Sequence, residues 1–396
     1  MGALEGIRVI DLSRVLGGPF STQVLADHGA SVIKIEPPAG DETRGWGPPF
    51  LGDTASYFLG LNRNKRGMAL DLSKPRGREV LLRLLEDADV LVENFKSGTM
   101  EKWGLGYESI LQARFPRLIY CRVSGFGETG PFGGLPGYDA VAQAMSGLMS
   151  VNGEKGGGPL RMGAPVIDMV TGLNAALGVL LALQERNVSG KGQLVESALY
   201  DSGVSLMHPH LPNYFLSGRS SAPSGNAHPN ICPYDAYATA TTPIFLAVGN
   251  DTQFAKLAAV LGKPELASRR EFKTNRDRLG HAALLRQEIE ARTKTLDAAQ
   301  LAQRLMGSGV PCGSVVDTAA VAEHEHTRHR EMVVEIGEYK GVGSPIKLSR
   351  TKAGYRTAPP DFGEDTVDIL REAGFDAQAI DELIAEGVAY NSRAPK

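Results

Sequence analysis

Over the first two hundred residues, short apolar runs alternate with stretches in which large apolar residues recur at helical spacing. Ile7–Leu12 is the first such run. A glycine-bearing loop, Ser13-Arg-Val-Leu-Gly17-Gly18-Pro19, leads into a helix reaching about His28, and Gly29–Glu36 is a second run. Strand, loop, helix, strand is a βαβ unit and predicts a parallel sheet in an α/β fold. The pattern continues with strand Met68–Leu72, a helix to about Ala88, strand Asp89–Phe95, a short helix over Tyr107–Ala113, strand Arg117–Ser124 and a helix over Tyr138–Met149. Ligands of such sheets bind beyond the carboxyl ends of the strands, so the Ser13–Pro19 loop is a candidate site as well as a tight turn.

Gly163–Leu183 is an apolar run with a single carboxylate near its start, Asp168. From Leu173 to Leu183 the large residues keep helical spacing, and Pro165 suits a helix entry. Asp168 is expected in or just before the first turn, where free backbone N–H groups favour negative charge. Two readings stand there: a nucleophile at the mouth of a site, or an ordinary capping aspartate. A membrane span of about 20 residues is disfavoured, because Asp168 and Asn174 lie within the run and charge is costly in a bilayer. A buried core helix is expected instead. Lys191–Tyr200 reads as a strand entering a helix that extends to about Leu216.

Composition then shifts to Ser, Gly and Pro over 217–233, a linker pattern. Beyond it, Tyr234–Ala240 and Pro243–Val248 read as a β-pair. Asp251–Leu261, Leu279–Thr293 and Thr295–Met306 read as helices, and Val310–Val316 as a strand. The expected organisation is a large domain over 1–216, the linker, a smaller α+β domain over 234–328 and a C-terminal segment over 329–396. That segment carries a strand at Gly343–Ser349 and helices at Asp365–Glu372 and Asp376–Glu386.

With 396 residues, two domains are expected. The 42 Lys and Arg against 45 Asp and Glu leave a net charge of −3, which argues against nucleic acid as a partner. Cys121, Cys232 and Cys312 are far apart and lack metal spacing, so reduced thiols and a cytoplasmic setting are expected. His324, His326 and His329 do not share a helical face, and no metal is expected. Gly125-Phe-Gly127-Glu-Thr-Gly130 fits a dinucleotide fingerprint by letter. It runs into Pro131 and Pro136 rather than opening a helix, so that reading is rejected.

Two further groups have candidate anion chemistry. Arg44 and Trp46 share one loop; Arg44 is either an anion clamp or half of a structural ion pair. The basic residues between Arg63 and Arg78 could hold phosphates or form a solvated face.

Taken together, the motifs resemble one family. Leu4–Pro19 with Val32–Glu36, Asp41–Trp46, Asn62–Arg66, Val92–Phe95, Ser124–Pro131, Gly137-Tyr138-Asp139, Gly163…Asp168…Gly172, Gly309–Gly313 and Ser344–Lys347 are similar to the class III CoA-transferases of the CaiB/BaiF type. The match runs in order over nearly the whole chain, and the dicarboxylate enzymes of the succinyl-CoA:glutarate type are the nearest in pattern. The resemblance implies an intertwined homodimer. Each chain has a Rossmann-like large domain, to which 329–396 returns, and a small domain. It implies acyl-CoA and carboxylic acids as partners, a CoA thioester as substrate and no tightly bound cofactor. By position, Arg14, Val15, Leu16, Leu70, Asn94, Phe95, Lys102 and Tyr138 line the CoA pocket.

α-Methylacyl-CoA racemases share this fold but carry His where this chain has Tyr138. A phenol near pKa 10 is a poor proton shuttle beside an imidazole, which favours transfer. In the transferase reaction Asp168 attacks a thioester to form a mixed anhydride, and CoA thiolate then converts it to an aspartyl thioester. Leu16 replaces a Gln, and Gly225–Tyr234 a tetraglycine lid, of the formate and oxalate enzymes. Gly225–Tyr234, with Phe245–Asp251 and Phe272–Arg276, is similar to the succinyl-CoA:glutarate type, which implies a short dicarboxylate acceptor met by Arg44, Trp46 or His228.

Overall fold

The computed structural model describes residues 2–391 and divides into two compact units. The larger takes the chain up to Leu148, Met162–Pro209, and the chain from His329 onward. The smaller takes Met149–Arg161 and His210–Arg328. The expected boundary near residue 216 thus falls earlier. The predicted helix breaks at Pro209, which ends Leu199–Ser205 from His210–Ser217. The 217–233 segment lies inside the smaller unit, where the Gly225 amide donates to the Gly153 carbonyl at 2.9 Å and ties in the 149–161 stretch.

The larger unit is built on a seven-stranded sheet. Its strands are β1 (Arg8–Asp11), β2 (Ser31–Glu36), β3 (Lys65–Leu70), β4 (Val90–Glu93), β5 (Ile119–Ser124), β6 (Leu194–Ala198) and β7 (Ala389–Tyr390). The order is β7-β3-β2-β1-β4-β5-β6. All neighbours are parallel except β7, which pairs antiparallel with β3 through Ala389 opposite Leu70. Order reverses on the two sides of β1, so the crevice beyond β1 is the topological switch point.

Side chains of successive strand residues point to opposite faces. One face gathers Ile10, Ile33, Met68, Leu91 and Tyr120, covered by helices Pro75–Leu84, Thr366–Glu372 and Ala377–Ala385. The other gathers Val9, Val32, Val90, Ile119 and Cys121, covered by α1 (Gly17–Asp27) and the 24-residue helix α2 (Val166–Ser189). With both faces buried, the strands read as continuous apolar runs, which made them visible in the sequence. The long apolar helix has the length of a membrane span, yet Ala175, Ala176, Val179 and Ala182 are buried against the sheet. The strand expected at Gly343–Ser349 is absent; the β-structure of this region is a hairpin of Val333–Ile336 with Tyr339–Val342 just ahead of it.

The smaller unit pairs Tyr234–Tyr237 and Cys312–Ser314 on either side of Ile244–Ala247, all antiparallel, as expected for α+β. Its core joins Leu246, Phe254, Leu257, Phe272, Leu285 and Leu305.

Candidate active site

Asp168 is the third residue of α2, in its first turn. The first-turn amides are not free for it, contrary to the sequence expectation. Asp139, the first residue of the helix Asp139–Met145, presents Oδ2 to the backbone N–H of Ile167 at 2.9 Å and of Asp168 at 3.2 Å. Asp139 Oδ1 accepts from Gln143 Nε2, and Gln143 Oε1 accepts from the Met162 N–H. An acid from a separate element therefore caps α2 and takes the favourable field of its terminus. Asp168 is left part-buried beside a like charge. Burial first, and Asp139 second, push its carboxyl up to about 7. Such a group is half ionised at neutrality and more basic than an ordinary carboxylate.

Close backbone approaches fix what surrounds Asp168. A Cβ on Gly172 would lie 2.6 Å from the Gly17 carbonyl oxygen, so only glycine lets α1 and α2 touch there. This brings the loop after β1 against the Asp168 turn. A Cβ on Gly125 would meet the Gly137 nitrogen at 2.7 Å, which seats the segment leading to Tyr138 and Asp139 beside β5. The glycines that resemble a dinucleotide fingerprint thus shape a loop; no helix opens after β5 until Asp139.

Tyr57 was not singled out from the sequence, where nothing periodic marks it. Its phenol is raised to about 12 by burial, then by Asp168, Asp139 and Asp41, so it stays a protonated donor in the field of the carboxylates. The Trp46 ring meets it edge-on at 5.2 Å and remains 43% exposed, which puts Trp46 at the margin of this site.

The remaining expected residues divide. Arg14 and Asn94 come together at the ends of β1 and β4. The Arg14 N–H donates to Asn94 Oδ1 at 2.8 Å, and Asn94 Nδ2 donates to the Arg14 carbonyl at 2.7 Å. Arg14 Nε is buried with no partner among the described residues. Val15 adopts φ +69°, and Leu16 is buried ahead of α1. Phe95 packs edge-on against Trp103, Lys102 is exposed at the end of helix Thr99–Lys102, and Tyr138 is exposed just ahead of Asp139. Leu70 is different: its side chain lies in the core at 1% exposure.

Arg44 is corrected. It is 2% exposed, donates through Nε and Nη2 to both Glu36 oxygens at 2.9 and 2.7 Å, and lies 3.7 Å over the Phe58 ring. A guanidinium spent on a buried fork has no charge left for a substrate, so the ion-pair reading holds. The basic residues of 63–78 are likewise committed. Arg63 bonds Asp27, Lys65 Asp11, Arg66 Glu372 and Arg76 Glu386, while Lys74 and Arg78 bond carbonyls.

His228 lies in the smaller unit, on a cavity of about 610 Å³ shared with Lys155, Asn226, Tyr237 and Arg286. Its Nδ1 accepts from the Asn230 N–H at 3.0 Å, and burial lowers its pKa. It is a neutral imidazole with its proton on Nε2, a hydrogen-bond donor rather than a cation.

Known proteins bear on this site. Residues 4–366 match the model of CoA-transferase family III. Succinate–glutarate CoA-transferase of Agrobacterium fabrum is 39% identical, covering 93% of this chain and 95% of its own length. Succinyl-CoA:mesaconate CoA-transferase of Haloarcula hispanica is 38% identical, covering 94% and 97%. The crystal structure of a CaiB/BaiF family protein from Brucella suis superposes with TM-score 0.85 at 39% identity, over 94% of this chain and 99% of that one. An acidic residue of raised pKa at a glycine-tight helix junction thus sits within a match spanning both units, and the chain belongs to CoA-transferase family III.

Proposed function

We propose that this enzyme moves CoA from succinyl-CoA to a short dicarboxylic acid, with Asp168 as the nucleophile. The carrying observation is the Asp168–Asp139 arrangement: one carboxylate satisfied by helix amides, the other held basic beside it. The Asp168 oxygen attacks the thioester carbonyl, the C–S bond breaks and CoA leaves as thiolate, giving a mixed anhydride. The thiolate attacks the Asp168 carbonyl carbon and expels the donor carboxylate. The acceptor carboxylate then attacks the aspartyl thioester carbonyl and expels CoA thiolate, giving a second mixed anhydride. That thiolate attacks the acceptor's carbonyl carbon, forming acceptor-CoA and releasing the Asp168 carboxylate. Each intermediate keeps the acyl group activated as long as water is excluded. Tyr57 supplies a hydrogen bond near the reacting carboxyl, and Arg14, Val15 and Leu16 line the CoA side.

The substrate assignment draws on two relatives whose names state succinyl-CoA or succinate with a dicarboxylic partner. It is tested with a panel of acceptors: equal rates on monocarboxylates and dicarboxylates would remove it. The nucleophile is tested by mass spectrometry of the Asp168 peptide after incubation with succinyl-CoA and hydroxylamine. A racemase would instead exchange the α-proton of an acyl-CoA with no acceptor acid present.

The enzyme works as a homodimer in this reading. Leu177, Leu181 and Val188 on the face of α2 away from the sheet are 55%, 63% and 86% exposed. A chain leaving so much apolar surface bare on its longest helix is best served by a second copy. Light scattering on the purified protein decides it; a monomer at micromolar concentration would refute the dimer.

A further inference from the structure

Four charges lie beneath the loop between β1 and α1, and the chemistry above uses none of them. Asp11, Lys34, Asp41 and Lys65 are each no more than 2% exposed. Charges so deep persist only when they are paired and hydrogen-bonded, and each of these four is. Lys65 Nζ donates to Asp11 Oδ2 at 3.0 Å, Asn62 Oδ1 at 2.8 Å and the Pro19 carbonyl at 2.9 Å, one acceptor for each proton. Lys34 Nζ donates to the Ser13 carbonyl at 2.8 Å and to Asp41 Oδ2 at 3.0 Å. Asp11 Oδ1 accepts from both the N–H and the hydroxyl of Ser13, and its Oδ2 accepts from Thr22.

The cluster also grips backbone on both sides of the loop. The Ser13 N–H donates to Asp11 and its carbonyl accepts from Lys34, while the Pro19 carbonyl, in the first turn of α1, accepts from Lys65. Within that stretch Arg14 is held by Asn94. Between them Val15 is fixed at φ +69°, a conformation a β-branched residue takes only when its surroundings over-determine it. The same loop carries Gly17, which touches the first turns of α2. Lys65 comes from the amino end of β3, two strands away from β1, so it spans the sheet to reach the loop.

We propose that Lys65 is a positioning residue for acyl-CoA binding: bonded to Asp11, Asn62 and Pro19, it sets the conformation in which the Arg14–Leu16 loop receives the CoA moiety. This rests on the reading that the loop contacts CoA. A purely structural ion pair would influence how firmly the protein folds but not how tightly the folded protein takes CoA.

The test is Lys65→Met in the full chain, which keeps the aliphatic stem and removes the three donors. Calorimetric Kd for free CoA and steady-state KM for succinyl-CoA are measured on protein whose fold is checked by circular dichroism. Both constants rise about tenfold, while kcat changes by less than about threefold. Unchanged Kd and KM in folded protein, or a loss confined to kcat or to the thermal midpoint, overturns the proposal. Should Lys65→Met fail to fold, Thr22→Val removes the hydroxyl that donates to Asp11 and Asn62→Ala removes an acceptor of Lys65, each without deleting a charge of the cluster. A two- to fivefold rise in Kd supports the proposal, and an unchanged Kd overturns it. Wild-type protein that binds no CoA would sink the functional reading itself, whereas tight wild-type binding left intact by Lys65→Met sinks this inference alone.

Discussion

Asp11 and Asp168 are the same residue type on either side of the β1–α1 loop, and their surroundings drive them in opposite directions. Asp11 is fully buried, which opposes its charge. Lys65, Lys34 and the hydroxyls of Ser13 and Thr22 outweigh that cost and hold its carboxyl below the ordinary range. Asp168 is less deeply buried, yet burial and the neighbouring Asp139 carry it up to about 7. Depth alone therefore does not decide a carboxylate's behaviour; the supply of donors does. A saturated acid is suited to holding backbone in place, and an unsaturated one beside a like charge is suited to reacting.

The comparison breaks most sharply at Asp168→Asn. An amide cannot form the anhydride, so kcat falls by roughly 10⁴-fold or more, measured on protein checked for deamidation. Native turnover in that variant would erase the distinction. The same substitution acts oppositely on stability. The unfolded carboxyl titrates near 3.8 and the folded one near 7, so the folded state binds its proton more firmly between those values. Stability from this group is present at low pH and lost as pH rises through 7. Asp168→Asn should melt higher than wild type at pH 8, with the gap closing toward pH 4.

Asp11→Asn is the counterpart. It strands the Lys65 ammonium without its anion and costs about 3–5 kcal/mol in denaturant unfolding, as breaking a buried pair does. A loss under 1 kcal/mol would mean the cluster is not the anchor described here.

A smaller effect sharpens the Asp168 side. In wild type, kcat/KM for acyl-CoA falls as pH drops below about 7 and Asp168 takes up its proton. Asp139→Asn keeps an oxygen for the helix amides and removes the like charge, so this acid limb moves to lower pH. An unmoved limb would show that burial alone sets it. Smallest is Tyr57→Phe, which deletes one hydrogen-bond donor and reduces kcat by about two- to tenfold, the equivalent of roughly 1 kcal/mol.

Much of the frame was legible in the chain. Strands buried on both faces read as unbroken apolar runs, and Gly17-Gly18 marked a loop beside a candidate site; that Gly172 is where α1 and α2 touch was not readable. Asp168 stood out because a carboxylate interrupts an otherwise apolar helix. What could not be read was partnership across distance. Nothing near Arg44 announces that Glu36 and the Phe58 face will bury it, so its two readings were level until the fork was seen. Asp139 caps a helix that begins 27 residues later, a contact made by the glycine-tight loop beside β5 rather than by any local capping signal. Tyr57 gains its meaning only from the acids that fold around it.

The C-terminal strand β7 has a bearing on how the protein is made. It closes the β3 edge of the sheet, and the Asp71 amide next to that edge donates to the Val388 carbonyl. The roughly 320 residues between Leu70 and Ala389 must all emerge from the ribosome before that closure. At about 5–20 residues per second this takes on the order of 15–60 s. Throughout that interval a nascent chain offers a naked β edge, open to pairing with its neighbours on a polysome. Slow synthesis, or a stop codon a few residues early, would extend the same hazard.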